Sequence, residues 1–225
     1  MKALTIRIIK LMMGLFLFAV GIVMTINANV GLSPWDVFHQ GLSKMLNITL
    51  GQAGIAVGFI IILINFFFKE KIGWGTVGNM LFIGLYIDFL MFNHLVPIFE
   101  SVIPSTIMMF LGLFVVGCAS YCYISSGFGS GPRDGLMVVL TKRTNKSVRF
   151  VRNTIEISVA AAGWLLGGFV GVGTVVMAVT TGYFVQFAFK LFKFDVKAVE
   201  HRYIDDDIRF LYQKFRKEDE GLEEN

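Results

Sequence analysis

Six runs of roughly 20 mostly apolar residues, at about 8–29, 50–68, 75–95, 104–125, 151–170 and 173–192, alternate along the chain with short polar segments. A helix that crosses a bilayer needs roughly 20 apolar residues, so each run predicts one membrane span. Two shorter helices are expected between the runs. Ser33 or Gly131 suits an N-cap, Pro34 or Pro132 the first helical position, and Asp36 or Asp134 the first turn. They are expected to end near Lys44 and Lys142, where a cation suits the negative end of the helix dipole.

The pattern repeats at a shift of 98 positions without a gap. Gly31, Pro34, Asp36, Leu42, Lys44 and Asn47 fall on Gly129, Pro132, Asp134, Leu140, Lys142 and Asn145, and Gly73-x-Gly75-Thr76-Val77 falls on Gly171-x-Gly173-Thr174-Val175. A unit of that length is too long for a solenoid repeat and reads as two duplicated halves of one body. Three spans per half is an odd number, so the second half enters the membrane in the opposite sense. The expected fold is an all-α polytopic membrane protein of six transmembrane helices, built as a 3+3 inverted-topology repeat with a short broken or re-entrant helix in each half. Residues 1–98 form the first three-helix repeat, 99–193 the second, and 194–225 a cytoplasmic charged tail.

Composition agrees with a bilayer solvent: 55% of residues are hydrophobic, 23 are Phe and only 16% are charged. The basic start (Lys2, Arg7, Lys10) ahead of an apolar run also fits a secretory signal. That alternative is set aside because residues 11–18 align in the repeat with 109–116, which no signal peptidase could remove without destroying the second half. With both termini cytoplasmic, all of the 20 Lys and Arg except Lys44 lie on or beside the cytoplasmic face, the asymmetry of the positive-inside rule. The net charge of +4 therefore calls for no nucleic-acid partner; anionic headgroups of the lipid bilayer account for it.

Irregular backbone rich in Gly, Ser and Pro is tolerated at membrane depth only inside protein or beside a wet cavity. The two short helices are therefore expected to point their amino ends inward, from opposite faces, toward a polar site at the midplane. The alternative is a pair of amphipathic surface helices with ordinary caps. Candidate substrate contacts are Ser33, Pro34 and Asp36 in one half and Gly129, Ser130, Gly131, Pro132 and Asp134 in the other. Asp88, the only acid well inside an apolar run, and its repeat mate Gln186 join them, since an intramembrane acid is a functional candidate by default. The bland reading of Asp88 is a hydrated group near the outer interface. Glu156 follows Arg152 by four residues and is read first as an i,i+4 ion pair. His39 has no counterpart in the second half and reads as a lone exposed histidine. Cys118 and Cys122 share a helix face as small apolar filler, and Gly163, Gly167 and Gly171 read as a packing seam. No metal set, nucleotide loop or hydrolase motif is present, so neither a cofactor nor an enzymatic activity is expected.

The doubled signature, Gly31-Leu-Ser-Pro-Trp-Asp36 and Gly129-Ser-Gly-Pro-Arg-Asp134 with Gly-x-Gly-Thr-Val in each half, resembles the YczE branch of the YczE/YyaS/YitT family of bacterial integral membrane proteins. The resemblance implies a multi-pass protein of the bacterial plasma membrane and supplies no substrate or catalytic residues. The first functional expectation is a secondary transporter or facilitator for a small polar or anionic metabolite. The alternatives are a non-transporting scaffold or accessory subunit and the substrate-capture subunit of an ATP-driven importer. A second copy of the chain or another membrane protein is an open alternative as partner. In the tail, Ile204, Ile208, Leu211 and Phe215 recur at helical spacing and predict a short amphipathic helix.

Overall fold

The computed structural model describes residues 2–209 and 212–213. Among the described residues, eight α-helices follow one another ahead of the tail: α1 (Lys2–Asn27), α2 (Pro34–Leu46), α3 (Leu50–Phe67), α4 (Trp74–Phe92), α5 (Val102–Ile124), α6 (Pro132–Thr144), α7 (Val148–Leu165) and α8 (Val172–Leu191). Local chemistry sets their limits. Ser33 caps α2 through its side chain, Pro34 and Pro132 occupy the first turns of α2 and α6, and Thr49 and Gln52 form a capping box on α3. The two short helices run two residues past Lys44 and Lys142. They stop where Asn47 (φ 53°) and Asn145 (φ 54°) turn left-handed, a conformation asparagine tolerates better than most residues.

Among the described residues, five helices are long and apolar enough to cross a membrane: α1 over Leu4–Asn27, α3, α4, α5 and α8. Helix α7 differs because Arg149, Arg152 and Glu156 lie in its first half. Large apolar side chains cover the outside, among them Phe67, Phe92 and Val172 at 77%, 85% and 81% exposure. In water such a surface would aggregate. In hydrocarbon it costs nothing.

Helices α1 and α5 cross at the centre. Leu15, Ala19 and Val23 are fully buried there with Val116 and Tyr123, and Gly14 and Gly21 let the two backbones touch. Helix α4 flanks α1 and α8 flanks α5, while α2 packs on α7 and α3 on α6. The short helices are tied to the opposite half at their carboxyl ends: Lys44 Nζ donates to the Gly167 carbonyl (2.8 Å), and Lys142 Nζ pairs with Glu70 (2.7 Å).

Two further junctions explain the Gly-x-Gly-Thr-Val repeats. Gly75 N donates to the Phe128 carbonyl (2.7 Å) and Gly173 N to the Val30 carbonyl (2.8 Å), two bonds related by the 98-residue shift. Thr76 Oγ1 donates to the Ser130 carbonyl (2.6 Å), whereas Thr174 Oγ1 accepts from Leu32 N (3.1 Å). Each half thus lays the loop ahead of its short helix across the first turn of the other half's last helix. A Cβ at Gly73 would lie 2.0 Å from the Phe128 oxygen, so glycine is required for the approach. The expected glycine seam on α7 is narrower than its sequence spacing suggests. The helix ends at Leu165, Gly167 sits beyond it at φ 90° where an added Cβ would meet nothing within 4 Å, and of the three seam glycines only Gly163 packs on α2, against the Phe38 backbone.

The halves differ in one respect. Helix α3 packs along α4, with Gly51 against Gly84 and Gly58 against Met80, but α7 and α8 scarcely touch and a Cβ added at Gly182 would meet nothing within 4 Å. The shift of 98 places Arg149, Arg152 and Glu156 of α7 where α3 has Gly51, Gly54 and Gly58. Glycines let helices close, whereas solvated charges hold them apart.

After α8 the chain turns back through a 3-10 turn, Val196–Ala198. Residues 201–204 then cross the Gly73/Phe128 junction: Arg202 N donates to the Gly127 carbonyl (2.8 Å) and Ile204 N to the Ile72 carbonyl (3.0 Å). Residues 204–209 are helical, as the spacing of Ile204 and Ile208 predicts. Leu211 and Phe215 lie outside the described residues.

Candidate functional site

Where the two short helices meet, a cavity of about 350 Å³ opens between the halves. It is framed by Ser33–Asp36 from the start of α2 and Gly131–Asp134 from the start of α6, with α3, α4, α5, α7 and α8 supplying the walls. Most of the wall is apolar, and the polar groups gather at the two helix starts and on α7, with Asn79 and Thr181 beside them. That is the usual composition of a small-molecule site, and the volume lies at the lower end of the usual range.

On the α2 side, Ser33 Oγ donates to Asp36 Oδ2 (2.5 Å) while accepting from Asp36 N (3.4 Å). Asp36 Oδ1 lies 3.7 Å from His39 Nδ1, one helical turn on. Across the gap, Arg133 Nη2 approaches His39 Nε2 at 3.4 Å, and its guanidinium stacks 4.6 Å over the Trp35 ring. Arginine has only donors, so Nε2 accepts and the imidazole proton sits on Nδ1, facing Asp36. The line Ser33–Asp36–His39–Arg133 therefore joins the two halves. On the α6 side, Tyr123 Oη donates to Asp134 Oδ2 (3.2 Å). Asp134 lies deep among protein atoms yet is exposed, because what it faces is the cavity. Arg152 and Glu156 pair at 3.0 Å on the α7 wall, the i,i+4 bridge that their spacing predicts.

Of the residues singled out in the sequence, Ser33, Pro34, Asp36, Gly131, Pro132 and Asp134 line this cavity. Gly129 and Ser130 lie behind it, with their backbone already engaged: Gly129 N donates to His201 Nδ1 (3.2 Å), and the Ser130 carbonyl accepts from Thr76. Asp88 is not at the cavity either. Its carboxylate accepts from Gly51 N (2.8 Å) and Thr49 Oγ1 (2.5 Å), so it completes the cap of α3, where a negative charge suits the helix dipole. Gln186, its repeat mate, is exposed on α8 and lines no part of the cavity. His39 is the reverse case. It is buried, at 4% exposure, and central. Trp35, Arg133 and Tyr123 join it as lining residues that spacing alone does not single out. A signal for the α7 wall was present in the repeat itself, in the three charges that replace three glycines. Asn65 reaches from α3 to the Pro132 carbonyl (2.9 Å) and steadies the start of α6, while Asn79 and Thr181 line the cavity. Cys118 and Cys122 are free thiols.

Residues 5–190 match the model of a family of unknown function, DUF6198. The chain belongs to this family. Its relatives include the uncharacterized membrane protein YczE of Bacillus subtilis (strain 168), 37% identical over 179 residues that cover 78% of this chain and 81% of the relative. An uncharacterized protein of Haemophilus influenzae is 32% identical over 79% of this chain and 80% of its own length. The uncharacterized protein YyaS of Bacillus subtilis is 26% identical over 72% of this chain and 81% of its own length. No solved structure matches the chain at a significant level. The resemblance read from the doubled motif thus holds for YczE and YyaS, and with its apolar helices the chain is a multi-pass membrane protein.

Proposed function

We propose that this protein is a secondary transporter or facilitator for a small polar or anionic solute, not an enzyme, in the plasma membrane of a bacterium. In this reading α1, α3, α4, α5, α7 and α8 cross the membrane as two three-helix halves of opposite sense, with both termini cytoplasmic. Helices α2 and α6 re-enter from opposite faces. The observation that carries it is the cavity between the two short helices, reached by one motif from each half and bridged at Arg133 and His39. Helix starts pointing at a polar centre are how inverted-repeat carriers hold solutes. The unlike seams support movement: α3 is closed on α4 while α7 stands off α8, and exchanging those two states would open the cavity to the other side.

Thiol accessibility tests this. In a Cys118→Ala/Cys122→Ala background, Thr181→Cys places a thiol in the cavity and Val179→Cys places one on the outer face of α8, where Val179 is 63% exposed. A charged methanethiosulfonate reagent should modify residue 181 in both intact cells and inverted vesicles and should spare residue 179, whose thiol cannot ionise in hydrocarbon. Modification of residue 181 from one face only, or from neither, would refute a path through the protein.

A further inference from the structure

The polar groups of the cavity do not all neutralise one another. Asp36 is held by Ser33 and His39, and Glu156 is paired with Arg152. Arg133 stacks on Trp35 and touches His39, but among the described residues it makes no salt bridge. Asp134 is held by the neutral Tyr123 hydroxyl and the Gly131 backbone, and it too makes no salt bridge among the described residues. One cation and one anion that feel opposite charges only beyond ion-pair contact therefore line the same cavity.

Their placement keeps them from satisfying each other. Arg133 and Asp134 are consecutive in the first turn of α6, where neighbours point about 100° apart around the helix axis. Arg133 is drawn across the gap toward Trp35 and His39 of the first half, while Asp134 turns to Tyr123 of α5. A simple anion drawn to Arg133 would bring its charge close to Asp134, and a simple cation at Asp134 would meet Arg133. Either would leave one charge without a contact partner in a largely apolar enclosure, which is costly. A solute bearing both charges satisfies both residues.

We propose that the cavity takes a small zwitterion of amino-acid size, its carboxylate held by Arg133 and its ammonium group by Asp134. This rests on reading the cavity as a solute path, and it narrows the polar or anionic class to molecules that carry a positive charge as well. The volume of about 350 Å³ suits a solute of a few non-hydrogen atoms together with retained water.

The test uses the purified full chain and equilibrium binding of L-alanine, β-alanine and γ-aminobutyrate, which differ in charge separation, beside acetate and ethylammonium, which each carry one charge. At least one zwitterion should bind about tenfold or more tightly than acetate, the value of one charge-assisted contact. Asp134→Asn should remove that preference by weakening the zwitterion while sparing acetate, and Arg133→Gln should shift it toward ethylammonium. Equal binding of acetate and the zwitterions by the unaltered protein, or an Asp134→Asn protein that loses both alike, overturns the proposal. Absence of binding by all five probes overturns it too. If residue 181 is then still modified from both faces, the solute path stands and only the zwitterion fails; one-sided modification ends both.

Discussion

At Gly51 the backbone of α3 rests against Gly84 of α4, and Gly51→Ala asks what that closeness is worth. The added methyl would lie 2.1 Å from the Gly84 carbonyl oxygen and 2.6 Å and 2.7 Å from Asp88 Cγ and Oδ1. Ordinary contact begins near 3.4 Å, so the helices must part by about 1.3 Å, and a backbone oxygen cannot rotate aside. Overpacking of this kind costs about 1–3 kcal/mol. The cost applies only while α3 rests on α4. If the protein also visits a state in which α3 has left α4 and α7 has closed on α8, the same energy becomes a population shift of about 5–150-fold toward that state. Disulfide formation in the pair Glu156→Cys/Ala178→Cys, free of Cys118 and Cys122, reads the second state, because it mirrors Gly58 and Met80 of the closed seam. Gly51→Ala should raise the cross-linked fraction and lower the thermal midpoint. Gly58→Ala meets only the flexible Met80 side chain, at 2.8 Å, and should do little; Gly182→Ala meets nothing and should leave the midpoint unchanged. Equal midpoints and equal cross-linking for Gly51→Ala and Gly182→Ala would refute the claim that glycine contact holds α3 on α4.

Two further outcomes follow from particular contacts. Asp88→Ala removes the acceptor for both Gly51 N and Thr49 Oγ1, so it should destabilise by about 1–2 kcal/mol, read as a lower thermal midpoint, with solute preference intact; a changed preference at an unchanged midpoint would return Asp88 to the site. The tail contact should depend on pH, because burial, with help from the Arg7 charge, holds the His201 imidazole below its ordinary value of 6.5 and its Nδ1 accepts from Gly129 N only when unprotonated. The docked tail binds fewer protons than the free one, so docking is complete above pH 6.5 and is lost as pH falls through the lowered value. Hydrogen exchange at the Gly129 and Arg202 amides should show that loss. His201→Asn, which keeps an acceptor but no titration, should abolish the pH dependence, and an identical profile in both proteins would count against it.

Asp88 and His39 show where reading from sequence stops. Asp88 stands in an apolar run and His39 in a polar loop-and-helix segment, so local context assigns function to the first and exposure to the second. The fold reverses them, because Asp88 meets the start of α3, 37 residues earlier in the chain, and His39 meets Arg133, 94 residues later. Neither distance leaves a trace in local composition. The repeat did carry some of this information: a shift of 98 places Arg149, Arg152 and Glu156 on Gly51, Gly54 and Gly58, which marks the two seams as unlike.

Helix positions and the starts of the two short helices at Ser33-Pro34 and Gly131-Pro132 were determined by the sequence alone, since apolar run length and turn chemistry act over a few residues. The doubled motif likewise marked two helix starts. That Arg133 reaches His39, that Asp134 faces a cavity, and that Thr76 and Thr174 hold the opposite half in place were decided only in three dimensions. Such contacts depend on how helices cross and which way each side chain is turned when they do, and no local pattern encodes either.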